Sequence, residues 1–331
     1  MLRRFLPDPF TQALLAMVLA ASLLPARGQV ALAFDWITNL AIALLFFLHG
    51  AKLSRQAIIA GAGHWRLHLL VFACTFVAFP LLGLALRPLL TPLVGPELYL
   101  GMLYLCALPA TVQSAIAFTS LARGNVPAAI CSAAASSLFG IFLTPLLVAL
   151  LMDVHGDGGS TLDAIGKITV QLLIPFVAGQ VARRWIGAWV ERNRQWLRFV
   201  DQGSILLVVY VAFSAAVVEG LWHQVPLPAL AGLVVACCVL LALALLVSHG
   251  AARLFGFALE DRITILFCGS KKSLATGVPM AQVLFAGSSL GLLILPLMLF
   301  HQIQLMVCAV LAQRYARRPE SITELMGRVD P

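Results

Sequence analysis

Two adjacent lysines, Lys271 and Lys272, stand in the run Phe267-Cys-Gly-Ser-Lys-Lys-Ser-Leu-Ala, in the middle of a long apolar stretch. Both flanks, Ile263–Cys268 and Leu274–Phe285, are compatible with lipid, which puts the charges near mid-depth of a bilayer. An ionised side chain there costs several kcal/mol unless it faces a water-filled or protein-lined cavity. No carboxylate shares the stretch to answer them. An anionic ligand is the simplest counter-charge. The competing reading is structural, with both ammonium groups held by backbone carbonyls of a broken helix. Neighbours on a helix point about 100° apart, so one lysine of the pair would face such a cavity, and the sequence favours Lys272.

Such a stretch needs a membrane around it. The chain's 331 residues are 61% hydrophobic and 11% charged, against about 25% charged in soluble domains. Apolar stretches able to cross a hydrocarbon core of about 30 Å recur along the whole chain. They are Pro9–Leu24, Ile37–Ala51, Leu67–Leu86, Leu98–Leu121, Ala128–Met152, Ile165–Val181, Gly203–Leu221, Ala229–Val247, Ile263–Phe285 and Leu290–Ala312. The first follows Arg3 and Arg4 as a signal peptide would, but a second span follows it at once, so it is read as span 1. No gap would hold a soluble domain, and 1–331 is read as one transmembrane unit.

The formal charge of +8 does not point to nucleic acid. With a cytoplasmic N-terminus, seventeen basic residues fall on the inside and three, Arg27, Arg87 and Lys167, on the outside. That asymmetry predicts both termini in the cytoplasm and an even number of spans. The seven cysteines all lie in apolar stretches without a CxxC pair, which favours packing over redox or metal chemistry.

The ten spans divide into two sets of five. An offset of 159 residues carries Ser114 onto Ser273 and Gln113 onto Lys272, with repeat one at about 9–152 and repeat two at about 165–312. A repeat with an odd number of spans must insert its second copy upside down, the plan of many secondary transporters. Spans 4 and 9 each carry a polar interruption, Leu108-Pro109-Ala-Thr-Val-Gln-Ser114 and Gly269-Ser-Lys-Lys-Ser273. Pro109 removes a donor, and Gly269 permits backbone conformations that other residues resist. Matching breaks mark a mid-membrane site whose N–H ends attract anions and whose carbonyl ends attract cations. Thr111, Gln113, Ser114, Ser270, Lys271, Lys272 and Ser273 are the candidate lining residues, and mere packing of small hydroxyls is the alternative.

At these breaks the chain resembles the bile acid:sodium symporter family, in its divergent SBF-like branch, over nearly its whole length. The anchors are Thr75-Phe-Val-Ala-Phe-Pro80, Leu108-Pro…Gln113-Ser-Ala, Leu121-Ala-Arg-Gly-Asn125, Ser136-Ser137…Thr144-Pro145, Phe267-Cys-Gly-Ser-Lys-Lys-Ser273, Gly277-Val-Pro-Met280 and His301-Gln302. The resemblance implies an all-α polytopic protein of ten transmembrane helices in two inverted five-helix repeats. It also implies a core and a panel domain, with discontinuous helices 4 and 9 crossing at the binding region. Sodium-coupled members carry a Ser-Asn pair where Ser114-Ala115 stand here, a glutamate at Phe267, and Gln-Asn at Lys271-Lys272. Thr75, Ser114, Ser132 and Ser136 are the remaining candidates for a cation site. Much of a sodium ion's oxygen set is thus missing, and two fixed ammonium groups would take over the electrostatic role of bound cations.

Other residues carry weaker signals. His64 and His68 share a helix face, but the absence of a nearby carboxylate or cysteine argues against a metal. His49 and Lys52 are expected to reach toward headgroups, and His301 toward the cavity. Gly124-Asn125 reads as a tight cytoplasmic turn. Nothing resembles HExxH, GxSxG or a phosphate-binding loop, so no enzyme is expected. The expectation is a secondary transporter of a small organic anion, an amphipathic carboxylate or sulfonate by kinship, set in the lipid bilayer of a bacterial inner membrane. Sodium is the one candidate ion, and neither a cofactor nor a nucleic acid is expected. The alternative is a regulatory membrane protein that binds an anion or lipid, since eukaryotic members of the branch are linked to calcium homeostasis.

Overall fold

A computed structural model describes residues 9–52, 62–152, 161–218, 220, 225–285 and 290–318. The described residues contain helices and no strand. The helices are α1 (Pro9–Leu23), α2 (Gly28–Lys52), α3 (Trp65–Ala73), α4 (Phe79–Ala85), α5 (Arg87–Val94), α6 (Pro96–Ala107) and α7 (Gln113–Leu121). There follow α8 (Val126–Met152), α9 (Thr161–Arg192), α10 (Arg194–Val218), α11 (Leu227–Leu254), α12 (Leu259–Gly269), α13 (Leu274–Leu284) and α14 (Leu290–Ala316). A π-helical segment, Cys74–Ala78, joins α3 to α4.

Six of these elements are long and apolar enough to cross a membrane, counting Trp65–Ala85 as one. With no water in the hydrocarbon region, helices are the form in which each segment satisfies its own backbone. Of the other stretches expected to span, Pro9–Leu24 is the 15-residue α1 and Ile165–Val181 lies inside the 32-residue α9. Spans 4 and 9 are the pairs α6/α7 and α12/α13. Part of the loop Asp153–Asp163 lies outside the described residues.

The helices can be taken in two groups, which meet where α10 packs on α13 and α14 and where α9 packs on α8. In the first, α1 lies against α10, and α2 against α9 and α10. In the second, α14 packs on α6, α7, α11 and α13, while α12 packs on α3, α7, α8 and α11. The break of each interrupted helix is thereby wrapped by continuous ones. Gly50 and Gly179 explain the tight seam of α2 on α9. A Cβ on Gly50 would stand 2.0 Å from the Phe176 carbonyl oxygen, and one on Gly179 1.8 Å from that of Phe47.

Sequence and structure part over the polar groups of α2. Lys52 forms an ion pair with Asp201 of α10, with side chains only 27% and 12% exposed, rather than reaching for headgroups. His49 sits beside Phe46, its Nδ1 buried without a hydrogen-bond partner. Both residues face the seam with α10, where a carboxylate 149 positions away in sequence is available.

Candidate functional site: the crossing of two broken helices

Pro109 has no N–H, so the last turn of α6 cannot continue, and its carbonyls need other donors. The structure supplies them from several elements. Leu105 O accepts from Leu108 N at 3.3 Å, and Ala107 O from the Thr144 hydroxyl at 2.9 Å. Pro109 O accepts from Ser273 N at 2.9 Å, which ties the two breaks directly together. Cys106 O and Leu108 O both accept from the Lys272 ammonium, at 2.8 and 2.6 Å. Across the break, Ala110 N donates to Ser136 Oγ at 2.9 Å. Ser136, Gly140 and Thr144 follow one another at four-residue steps and so share one face of α8. Between the two hydroxyls Gly140 leaves room for Pro109, whose Cβ a methyl group there would approach to 2.7 Å.

The third carbonyl on Lys272 comes from the π-helical segment. There Phe79 N donates to Cys74 O, five residues back. Residue 80, the next donor in that pattern, is a proline. Thr75 O is therefore left without a backbone partner, and it accepts from Lys272 Nζ at 2.7 Å. All three N–H groups of the ammonium are used, each on a main-chain oxygen. Phe79 covers it at 4.3 Å from ring centroid to Nζ, a cation–π distance.

The backbone of Lys272 is held as firmly as its side chain. Its N–H donates to Gln304 Oε1 and its carbonyl accepts from Gln304 Nε2, both at 2.9 Å. Gln304 Nε2 also lies 2.9 Å from His301 Nδ1. The amide beside His301 at this site is thus Gln304, where the sequence pointed to Gln302. The missed signal was helical spacing: residues three apart share a face and adjacent ones do not. Ser273 caps α13 by accepting from Thr276 N at 3.3 Å. Ser270 Oγ turns back to Leu266 O at 2.5 Å. Gly269 lies outside the left-handed region, so its value is space. A Cβ there would come within 3.0 Å of Cys74 Cβ and 3.3 Å of Ser248 Oγ.

Lys271 differs from its neighbour. It is equally buried at 0% exposure, but its Nζ has no hydrogen-bond partner. The amine lies 4.0 Å from the Phe118 ring and 5.5 Å from that of Phe267. Those rings belong to a cluster with Ala122, Ile263, Cys308 and Ala312.

The remaining candidates are engaged separately. Thr111 and Ser114 hydrogen-bond each other at the entry to α7. Ser132 Oγ is 2.7 Å from His68 Nδ1, and Thr75 Oγ1 bonds Val71 O in its own helix. Gln113 is exposed. It opens α7, as Leu274 opens α13, and those starts are 161 residues apart, while α8 and α14 start 164 apart. At the 159-residue offset, Gln113 pairs with a residue still inside the second break. No group of three or more metal-ligating side chains occurs among the described residues.

A helical bundle in which two interrupted helices meet at buried lysines has the form of a membrane transporter. The sequence comparisons agree. Residues 8–317 match the model of the SBF-like CPA transporter family, and the chain belongs to that family. It is similar to an uncharacterized protein of Pseudomonas aeruginosa, 75% identical over 315 residues that cover 95% of each chain. It is 61% identical, over the same coverage, to Escherichia coli YfeH, which is provisionally named a symporter. It is also 29% identical to the sodium/bile acid cotransporter 7-B of Xenopus laevis, over 94% of this chain and 92% of the relative. The protein is a transporter of this class and not an enzyme.

Proposed function

We propose that the chain is a secondary transporter of a small organic anion, working by alternating access with its site at the crossing of the two breaks. The observation that carries this reading is Lys271, a fully buried amine without a hydrogen-bond partner, one residue from the join between the breaks. A charge kept inside a membrane unanswered is expensive, and a carboxylate or sulfonate arriving as the site opens would answer it. The names of the vertebrate relatives make a bile acid a sensible first probe. The two helix groups fit a panel and a core. The cross-pairing of α1 with α10 and α2 with α9 supports ten spans in two inverted five-helix repeats.

The test is uptake of radiolabelled taurocholate, cholate and shorter sulfonates into liposomes holding only the purified protein. Saturable uptake that Lys271→Gln abolishes, with the variant still folded, is the expected result. If no anion in the panel moves or shifts the melting temperature, with or without sodium, the anion reading fails. In the cell the reading places the protein in the inner membrane, with both termini in the cytoplasm.

A further inference from the structure

Lys272 is not placed like a residue waiting for a ligand. Its ammonium sits at 0% exposure among three main-chain oxygens, Thr75 O, Cys106 O and Leu108 O, at 2.6 to 2.8 Å. Two of those oxygens end the broken helix α6, where the partial negative charge of the helix dipole gathers. The third is released by the π-helical segment and Pro80. Hard carbonyl oxygens converging from a helix end and a bulge are what a desolvated monovalent cation requires. The lysine reaches them from the opposite break, with its own peptide clamped by Gln304.

We infer that Lys272 is a tethered cation filling a monovalent-cation cage, so that the ion at this position is part of the chain and is not taken from solution. The side chain then does two things a free ion would do. It neutralises the carbonyl end of α6, and it locks the first break to the second. Unlike a free ion, it cannot leave, so a sodium gradient has no exchangeable ion at this position on which to act. Removing the side chain beyond Cβ, with the backbone held by Gln304, leaves a channel as long as the lost alkyl chain, with the three oxygens at its end where the ammonium group sat. A small cation from solution will enter that channel.

This inference deepens the transport reading, but its readout needs no substrate, so the two can fail separately. The purified wild type and Lys272→Ala are melted in lithium, sodium, potassium, ammonium or choline chloride at equal ionic strength. The wild type should show no difference between choline and any small cation. Lys272→Ala should melt lower in choline and recover saturably in at least one small cation. Lys272→Met, which fills the channel without charge, should melt low and recover in none. Saturable stabilisation of the wild type by sodium, or equal melting of Lys272→Ala in every salt, overturns the inference. If Lys272→Ala accumulates in no salt while Lys272→Met does, it is overturned as well. If neither accumulates, the sodium titration of the wild type decides alone.

Discussion

At the scale of single residues, the two lysines divide the work their sequence presents as one pair. Both are fully buried, so burial does not distinguish them; their partners do. Lys272 has its donors spent on carbonyls, and Lys271 has only aromatic faces. Replacing Lys272 with Met strands three buried carbonyls, at about 1–3 kcal/mol for each unsatisfied group. Replacing Lys271 with Met removes an amine that satisfies nothing, and leaves stability unchanged or raised. Thermal melts of the two variants should therefore move in different directions or by very different amounts. Ser136 and Gly140 follow the same logic. Ser136→Ala orphans the Ala110 N–H, and Gly140→Ala drives a methyl group into the proline ring, for a loss of about 1–3 kcal/mol in either case. A Gly140→Ala variant that melts with the wild type would show that the break is not held by α8.

At the scale of elements, the breaks were legible and their partners were not. Pro109 and the polar run after Gly269 announce interruptions from sequence alone, because each defeats a helix inside an apolar stretch. Nothing local reveals that Thr75 O is free, because this depends on a π-helical register starting at Cys74 and on a proline six residues further on. Nor could spacing within one span show that Gln304 clamps Lys272, a contact across 32 residues. The π-helical segment yields its own prediction. Pro80→Ala restores a donor at the position that can reach Thr75 O. With Lys272 present that donor competes with the ammonium and should lower the melting temperature slightly. In Lys272→Met it gives an abandoned carbonyl a partner and should recover part of the loss. A double-mutant cycle measures the coupling, expected at about 0.5–3 kcal/mol for groups sharing one acceptor. Additivity within about 0.5 kcal/mol would mean that Pro80 does not set the cage.

At the scale of the whole molecule, the polar contacts sort the ends of the bundle. Arg123 and Arg318 bond each other's neighbourhoods, with Glu260 beside Arg318. Asn125 joins Asp261, Arg66 stacks on Phe257, and Lys52 pairs with Asp201. These contacts bring together residues that the ten-span reading of the sequence puts on one side of the membrane. The segments Pro92–Leu98 and Val225–Ala229, on the other side in that reading, line an open cavity of about 580 Å³ together with Leu292. That cavity lies at the start of α6, and the lysine cage at its finish. The asymmetry of basic residues predicts that the end with the polar contacts is inside, because Lys and Arg are retained on the cytoplasmic side. Single cysteines at Glu97 and Arg194, in a background lacking the seven native ones, test this with an impermeant maleimide. In intact spheroplasts Glu97→Cys should label and Arg194→Cys should not, until detergent opens the membrane and both react. Labelling of both before detergent, or of Arg194→Cys alone, would overturn the topology. Labelling of Arg194→Cys alone would also place the open cavity on the cytoplasmic side of the lysine site.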